Sequence, residues 1–290
     1  MAGEVRSGTT GAGTVPAEVG PAVAARDTGA PREPARAAAF FDLDKTVLWS
    51  SSSVVLARPL LAAGLLSRSD LARSAVAQLG YLFVSSSHRH SERVREQLSR
   101  TVDGWEVHRF RAVVDGALRT FVQPYVFLEA LDLITAHQEA GADVVIVSAS
   151  STDVVRPIAT MVGADEVIAS TMEVRDGRYT GRIADYVYGP AKAARMRDLA
   201  DRNGYDLAAS YAYTDSVTDL PMLEAVGHPV AVNPDRALRR VAARHGWQVR
   251  RFERPVPLRA QVPRPVPLGV GAALALTGAA GWWVLRRSRR

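Results

Sequence analysis

Short unbroken apolar runs in this chain alternate with longer stretches in which apolar residues return every three or four positions. The first run, Ala37 to Phe41, predicts a strand buried on both faces. From Asp42 to about Val126 the spacing turns helical. Leu56 to Leu66 and Leu71 to Phe83 predict helices, the first with Pro59 tolerable only near its start. Ser91 opens another, with Val94, Leu98 and Val102 on one face. Phe110, Val114, Leu118 and Phe121 continue that spacing beyond Gly104. So long a helical block exceeds a simple crossover and predicts an inserted helical subdomain.

After the insertion the pattern alternates. Helix Phe127 to Glu139 stops at Gly141, strand Val144 to Val147 ends at Ser148, and a helix runs from Val154 to Met161. Glu166 to Val174 and Arg178 to Ile183 flank Asp176-Gly177, a hairpin turn signal. Helix Ala191 to Ala200 leads to strand Tyr211 to Thr214. Pro229 to Val232 and Trp247 to Phe252 predict short strands around helix Asp235 to His245. The alternation predicts an α/β fold: a doubly wound, mostly parallel, Rossmann-like sheet with helices on both faces.

Composition adds limits. The 290 residues have room for one catalytic domain with an insertion, and 47% hydrophobic residues support a core. The absence of cysteine excludes disulfides, zinc thiolates and a thiol nucleophile. The net charge of +6 comes mostly from scattered arginines without interleaved aromatics, a pattern that argues against nucleic-acid binding. Residues 1–35, rich in Gly, Ala, Pro and Thr, read as a disordered leader without the apolar core of a signal peptide. At the other end, residues 268–285 form an uncharged run that includes Trp282-Trp283 and precedes Arg286, Arg287, Arg289 and Arg290. It reads as a C-terminal hydrophobic helix and membrane anchor, with a buried helix as the competing reading. The Pro-rich residues 254–267 would be a semi-rigid linker. Flanking arginines on both sides leave orientation weakly determined; the catalytic domain is expected in the cytoplasm.

Candidate chemistry sits at strand ends. Asp42 and Asp44 follow the first strand, and side chains at i and i+2 of an extended segment project the same way. The pair therefore reads either as a dyad of nucleophile or metal ligand with an acid/base, or as loop aspartates that cap the next helix. Ser148 ends a strand, Lys192 opens a helix after Gly189-Pro190, and Asp215 and Asp219 follow strand Tyr211 to Thr214. Each alone reads equally as a helix cap or a solvated charge.

In this order, Asp42-Leu43-Asp44-Lys45-Thr46, Ser148, Lys192 and Asp215-Ser216-x-x-Asp219 resemble the four motifs of the haloacid dehalogenase-like superfamily. The helical insert, Thr180-Gly181 and the stretch from Val226 to Asp235 are similar to its phosphoserine-phosphatase-like branch, subfamily IB. The resemblance implies a domain over residues 36–253, with core 36–49 and 127–253 and a helical cap over about 50–126. It implies a Mg²⁺-dependent phosphate monoester hydrolase working through an aspartyl-phosphate. Asp42 would be the nucleophile and Asp44 the acid/base. Mg²⁺ would sit on Asp42, the Asp44 carbonyl and Asp215. Ser148 and Lys192 would bind the phosphoryl group, Thr46 would support the loop, and Asp219 would act from behind Lys192. The same residues would serve a phosphotransferase; a catalytically inactive, membrane-tethered binding protein is the other alternative.

The resemblance also bears on substrate. Phosphoserine phosphatases carry an acid shortly after the first motif to hold the substrate ammonium. Here Leu48-Trp49-Ser50-Ser51-Ser52-Ser53 occupies that region, and no acid occurs between Asp44 and Asp70. An ammonium desolvated without a carboxylate is costly, which disfavours phosphoserine. A phosphorylated small metabolite or lipid is expected instead. Thr214 stands where glycine often precedes the last motif. The cap charges Arg89, Arg93, Arg95, Arg100, Arg109, Arg111, His88 and His90 read as solvated helix faces or as contacts to an anionic substrate or anionic lipid headgroups.

Overall fold

Ala38–Asp42 (β1) is buried along its whole length and takes the centre of a seven-stranded sheet in the computed structural model, which describes residues 36–67 and 101–253. The strand order is β4-β3-β2-β1-β5-β6-β7. Here β2 is Asp143–Ser151, β3 Glu166–Arg175, β4 Arg178–Asp185, β5 Tyr211–Thr214, β6 His228–Val232 and β7 Gln248–Arg250. All neighbours pair in parallel except β3 and β4, which form an antiparallel hairpin. Asp176 and Gly177 turn that hairpin with φ of 50° and 74°, the left-handed pair an Asp-Gly turn requires.

The strands' period of two divides the core into two layers. Ala39 and Phe41 of β1, Val144 and Ile146 of β2 and Tyr213 of β5 join one cluster. Ala38 and Phe40, Val145 and Val147, and Ala212 join the other. The first layer is covered by Leu128–Glu139 and Thr152–Val162. The second is covered by Pro190–Asn203, the single turn Leu220–Leu223 and Arg236–His245. Numbered in chain order after Ser52–Ala62 (α1) and Val107–Ala117 (α2), these five helices are α3 to α7.

The inserted subdomain contributes α1, α2, a π-turn at Leu118–Val122 and a 3-10 turn at Gln123–Tyr125. It leaves and rejoins the core through two adjacent segments. Trp49 N donates to Tyr125 O at 2.8 Å, Phe127 N donates to Val47 O at 3.0 Å, and the Trp49 and Tyr125 rings stack 4.8 Å apart. A second junction ties α2 to the hairpin. Gly104 N donates to Tyr179 O at 2.8 Å and Tyr179 N to Trp105 O at 3.0 Å, so the segment before α2 pairs with the edge of β4.

Helix α1 corrects the expected boundary. It starts at Ser52, with the Ser51 hydroxyl accepting from Val54 N, so Pro59 falls in its interior rather than near its start. The serine run reads as loop by composition, yet serine is among the best helix caps, and that local bond sets the boundary. Strand β2 also runs past Ser148 to Ser151, across a register shift between those residues. The leader 1–35, the helix Leu71 to Phe83, the Ser91 start with Val94 and Leu98, and the charges at 88–100 lie outside the described residues. So do the 254–267 linker and the 268–285 run; among the described residues no helix is long and apolar enough to cross a membrane.

Candidate active site

The strand order changes direction at β1: β2 and β3 lie on one side, β5 to β7 on the other. A crevice outside the carboxyl ends of the strands is expected at such a switch point. Parallel register then sets what meets there. Asp42 lies opposite Val147, one residue before Ser148, and Phe41 lies opposite Tyr213, which places Asp215 just beyond the end of β5. Three sequence-distant polar groups thus arrive at one edge by pairing alone.

Lys192 closes the group from the second helical layer. Gly189 has φ 55° and precedes Pro190 at the first turn of α5, which aims the third residue of that helix at the strand ends. Lys192 Nζ donates to Asp42 Oδ1 at 2.6 Å and to Asp219 Oδ2 at 2.8 Å. All three side chains are buried. Thr214 Oγ1 also donates to Asp219 Oδ2 at 2.8 Å, a use for the hydroxyl at the position read above only as a departure from glycine. Burial drives the Asp42 carboxyl well above its ordinary range, with Asp219 and Asp215 adding to the rise and Lys192 opposing it. Burial works against the Lys192 charge, but Asp42 and Asp219 hold the ammonium above its usual value.

Asp44 is held differently. Its Oδ1 accepts from Ser52 N at 2.8 Å, the first amide of α1, where a helix N-terminus favours negative charge. Burial raises its pKa, while the Ser52 backbone and hydroxyl hold it back. Ser52 Oγ lies 3.0 Å from Ser150 Oγ, and Ser150 N donates to Ser148 Oγ at 3.1 Å. Amides and hydroxyls of Ser52 and Ser150 therefore connect Asp44 to Ser148. Sequence reasoning missed Ser52 and Ser150; the serine run carries no internal signal of which amide meets the carboxylate.

Asp215 is pushed up to about 6, chiefly by burial, with Lys45 opposing and Asp219 and Asp235 contributing. Asp235 N donates to Asp215 O at 2.8 Å. The Asp235 carboxylate itself accepts from Val217, Ala237 and Leu238 N–H groups, which position the loop after β5. Lys45 is exposed and left-handed, with φ 63°. Thr46 is fully buried, and its Oγ1 has no hydrogen-bond partner among the described residues.

The donor set suits a hard divalent cation. Asp42, Asp44, Asp215 and Asp219 stand against Lys45 and Lys192, a surplus of two negative charges, and both Asp42 and Asp215 are raised by burial and by neighbouring carboxylates. Among the described residues no three His, Cys, Asp or Glu side chains already form a cation cage.

Comparison with known proteins gives a consistent picture. A family model described as haloacid dehalogenase-like hydrolase matches residues 39–224. A protein of Mycobacterium tuberculosis named probable phosphatase is 48% identical, covering 87% of this chain and 86% of its own. A protein of the same organism named phosphoserine phosphatase is 31% identical over 88% of this chain and 81% of its own. A crystal structure of a Bordetella pertussis protein of unknown function superposes with TM-score 0.66 at 32% identity, covering 74% of this chain and 98% of that one.

Proposed function

The chain belongs to the haloacid dehalogenase-like hydrolases, and we propose that it is a phosphatase hydrolysing phosphate monoesters through a phosphorylated Asp42. The observation that carries the reading is Lys192, a buried cation shared between Asp42 and Asp219 at the carboxyl end of the central strand. A phosphate monoester dianion resists an anionic nucleophile, so attack by a carboxylate needs fixed positive charge around the phosphoryl oxygens. Lys192 supplies one such charge. Magnesium held by Asp42, Asp215 and the Asp44 carbonyl would supply the other, as a Lewis acid on a phosphoryl oxygen.

The remaining steps belong to the chain. Asp42 attacks phosphorus as the ester oxygen leaves, and Asp44 delivers a proton to that oxygen. Asp44 then takes a proton from water as it attacks the Asp42-phosphate, which releases inorganic phosphate. The raised pKa of Asp44 suits the first half of this role and its Ser52 hydrogen bond the second. Ser148 binds a phosphoryl oxygen beside Lys192, Thr46 supports the loop, and Asp219 orients Lys192. Asp42→Asn should abolish Mg²⁺-dependent phosphate release from p-nitrophenyl phosphate while leaving circular dichroism unchanged. Retained turnover would overturn the assignment.

The substrate is a phosphorylated small molecule or lipid. Ser50 to Ser53 offer hydroxyls and no carboxylate where an ammonium would need one, which supports a leaving group without a positive charge. Phosphotransfer would use the same Asp42-phosphate; added alcohols that raise phosphoester over inorganic phosphate would reveal it. The apolar 268–285 run, with arginines on both of its flanks, supports a membrane anchor.

A further inference from the structure

Helix α7, capped by Asp235 next to the loop that carries Asp215, concentrates positive charge. Arg236, Arg239, Arg240 and Arg244 are all exposed, and the helix contains no acid. Among the described residues none of the four makes an ion pair. Arg239 donates to Pro234 O and Arg240 to Arg236 O, each at 3.3 Å, so their charge stays uncompensated. The opposite face of the helix is already committed: Leu238 and Ala242 are buried in the core. Beside α7 runs an open groove of about 650 Å³, lined by Val217, Ala237 and Val241 with Arg240 and Arg244. It offers apolar and cationic contacts together.

Position in the chain indicates what this face meets. The chain passes from α7 through β7, the last strand of the sheet, to Glu253. Leu268, the start of the uncharged run, follows Glu253 by 15 positions. Even fully extended, such a segment reaches only roughly 50 Å. Any bilayer that takes up the run therefore lies within tether range of α7. Because Leu238 and Ala242 of α7 are spent in the core, the helix cannot insert as an amphipathic anchor does; its arginines and the groove beside them are what it offers a bilayer.

We propose that the arginine face of α7 is a docking surface for an anionic phospholipid bilayer, holding the catalytic domain against the membrane electrostatically. Each arginine near such a surface strengthens association about fivefold. The proposal is independent of the phosphatase reading, since none of these arginines belongs to the carboxylate site.

The chain has no cysteine, so Ala243→Cys in the full-length protein gives a single labelling site on the groove for an environment-sensitive fluorophore. The label should shift on vesicles of mixed phosphatidylcholine and phosphatidylglycerol, stay unchanged on phosphatidylcholine alone, and revert in high salt. Adding Arg240→Glu and Arg244→Glu should raise the lipid needed at least about tenfold, with hydrolysis of p-nitrophenyl phosphate unchanged. If the double reversal disturbs the fold, Arg240→Gln with Arg244→Gln should give a smaller shift in the same direction. An equal response on both vesicle types, no response on anionic vesicles, or an equal response to duplex DNA would each overturn the proposal, the last in favour of a nucleic-acid surface. The label reports on α7 whether or not the run inserts and whether or not phosphate is released.

Discussion

Lys192 stands where two carboxylates have given up water, and taking it away leaves both buried without their cation. Lys192→Met should therefore cost about 3–5 kcal/mol in chemical denaturation, besides ending phosphate release. Adding Asp42→Asn to that variant should return part of the loss, because one of the stranded carboxylates is then gone. A second residue sets an acid limit. His137 Nε2 lies 2.7 Å from the Tyr213 hydroxyl, and burial, helped by Arg250, holds its pKa below the ordinary value of 6.5. The unfolded chain thus takes up a proton that the fold refuses. The stabilising contribution is complete above that ordinary value and lost as pH falls below it. The raised carboxyls of Asp42, Asp44 and Asp215 act in the opposite direction, so the His137 share is read as a difference: His137→Gln should lose less melting temperature than the parent between neutral and mildly acidic pH. Residue types at strand ends made Asp42, Ser148, Lys192 and Asp215 legible in sequence. Ser52 was not, since its part depends on where α1 begins in space, and Thr214 shows its use only once Asp219 turns back toward β5.

At the level of elements, Asp153 of α4 joins three pieces. Arg111 of α2 donates to it at 2.6 Å, and the Tyr179 hydroxyl of β4 donates at 2.7 Å. The inserted helices are thereby fixed to the core at the hairpin as well as at the 47–49 and 125–127 junction. Asp153→Ala should cost about 1–3 kcal/mol, as expected when a partly buried donor loses its acceptor. Hydrogen exchange should rise in α2 and β4 but not in β1 or β2, which distinguishes a local latch from general destabilisation. Periodicity located most of these elements because period-two runs and three-four spacing are strong local signals. It could not show that the segment before α2 pairs with β4, since that contact depends on backbone groups that every residue carries. Helix α1 was misplaced for a related reason: a single hydroxyl cap outweighed the apolar spacing.

Over the whole molecule the sequence pattern predicts parallel strands, whereas their order across the sheet depends on pairings between residues far apart in the chain. The charge balance of the site is likewise a property of the assembled fold, with carboxylates in excess of ammoniums where β1 and β5 end. Magnesium should raise the melting temperature, by about 2.7 kcal/mol of stability at a hundredfold excess over its Kd. EDTA should reverse the gain, and Asp215→Asn should abolish most of it. The central place of β1 has one more consequence, for synthesis. Lys192 follows Asp42 by 150 residues, and Ser210, whose hydroxyl accepts from Ala38 N, follows 172 residues after that alanine. At typical elongation rates the wait for Lys192 is roughly 8–30 s. Throughout that interval β1 lacks β5, its neighbour on one side, so a nascent chain stalled before residue 192 should recruit holding chaperones and release no phosphate.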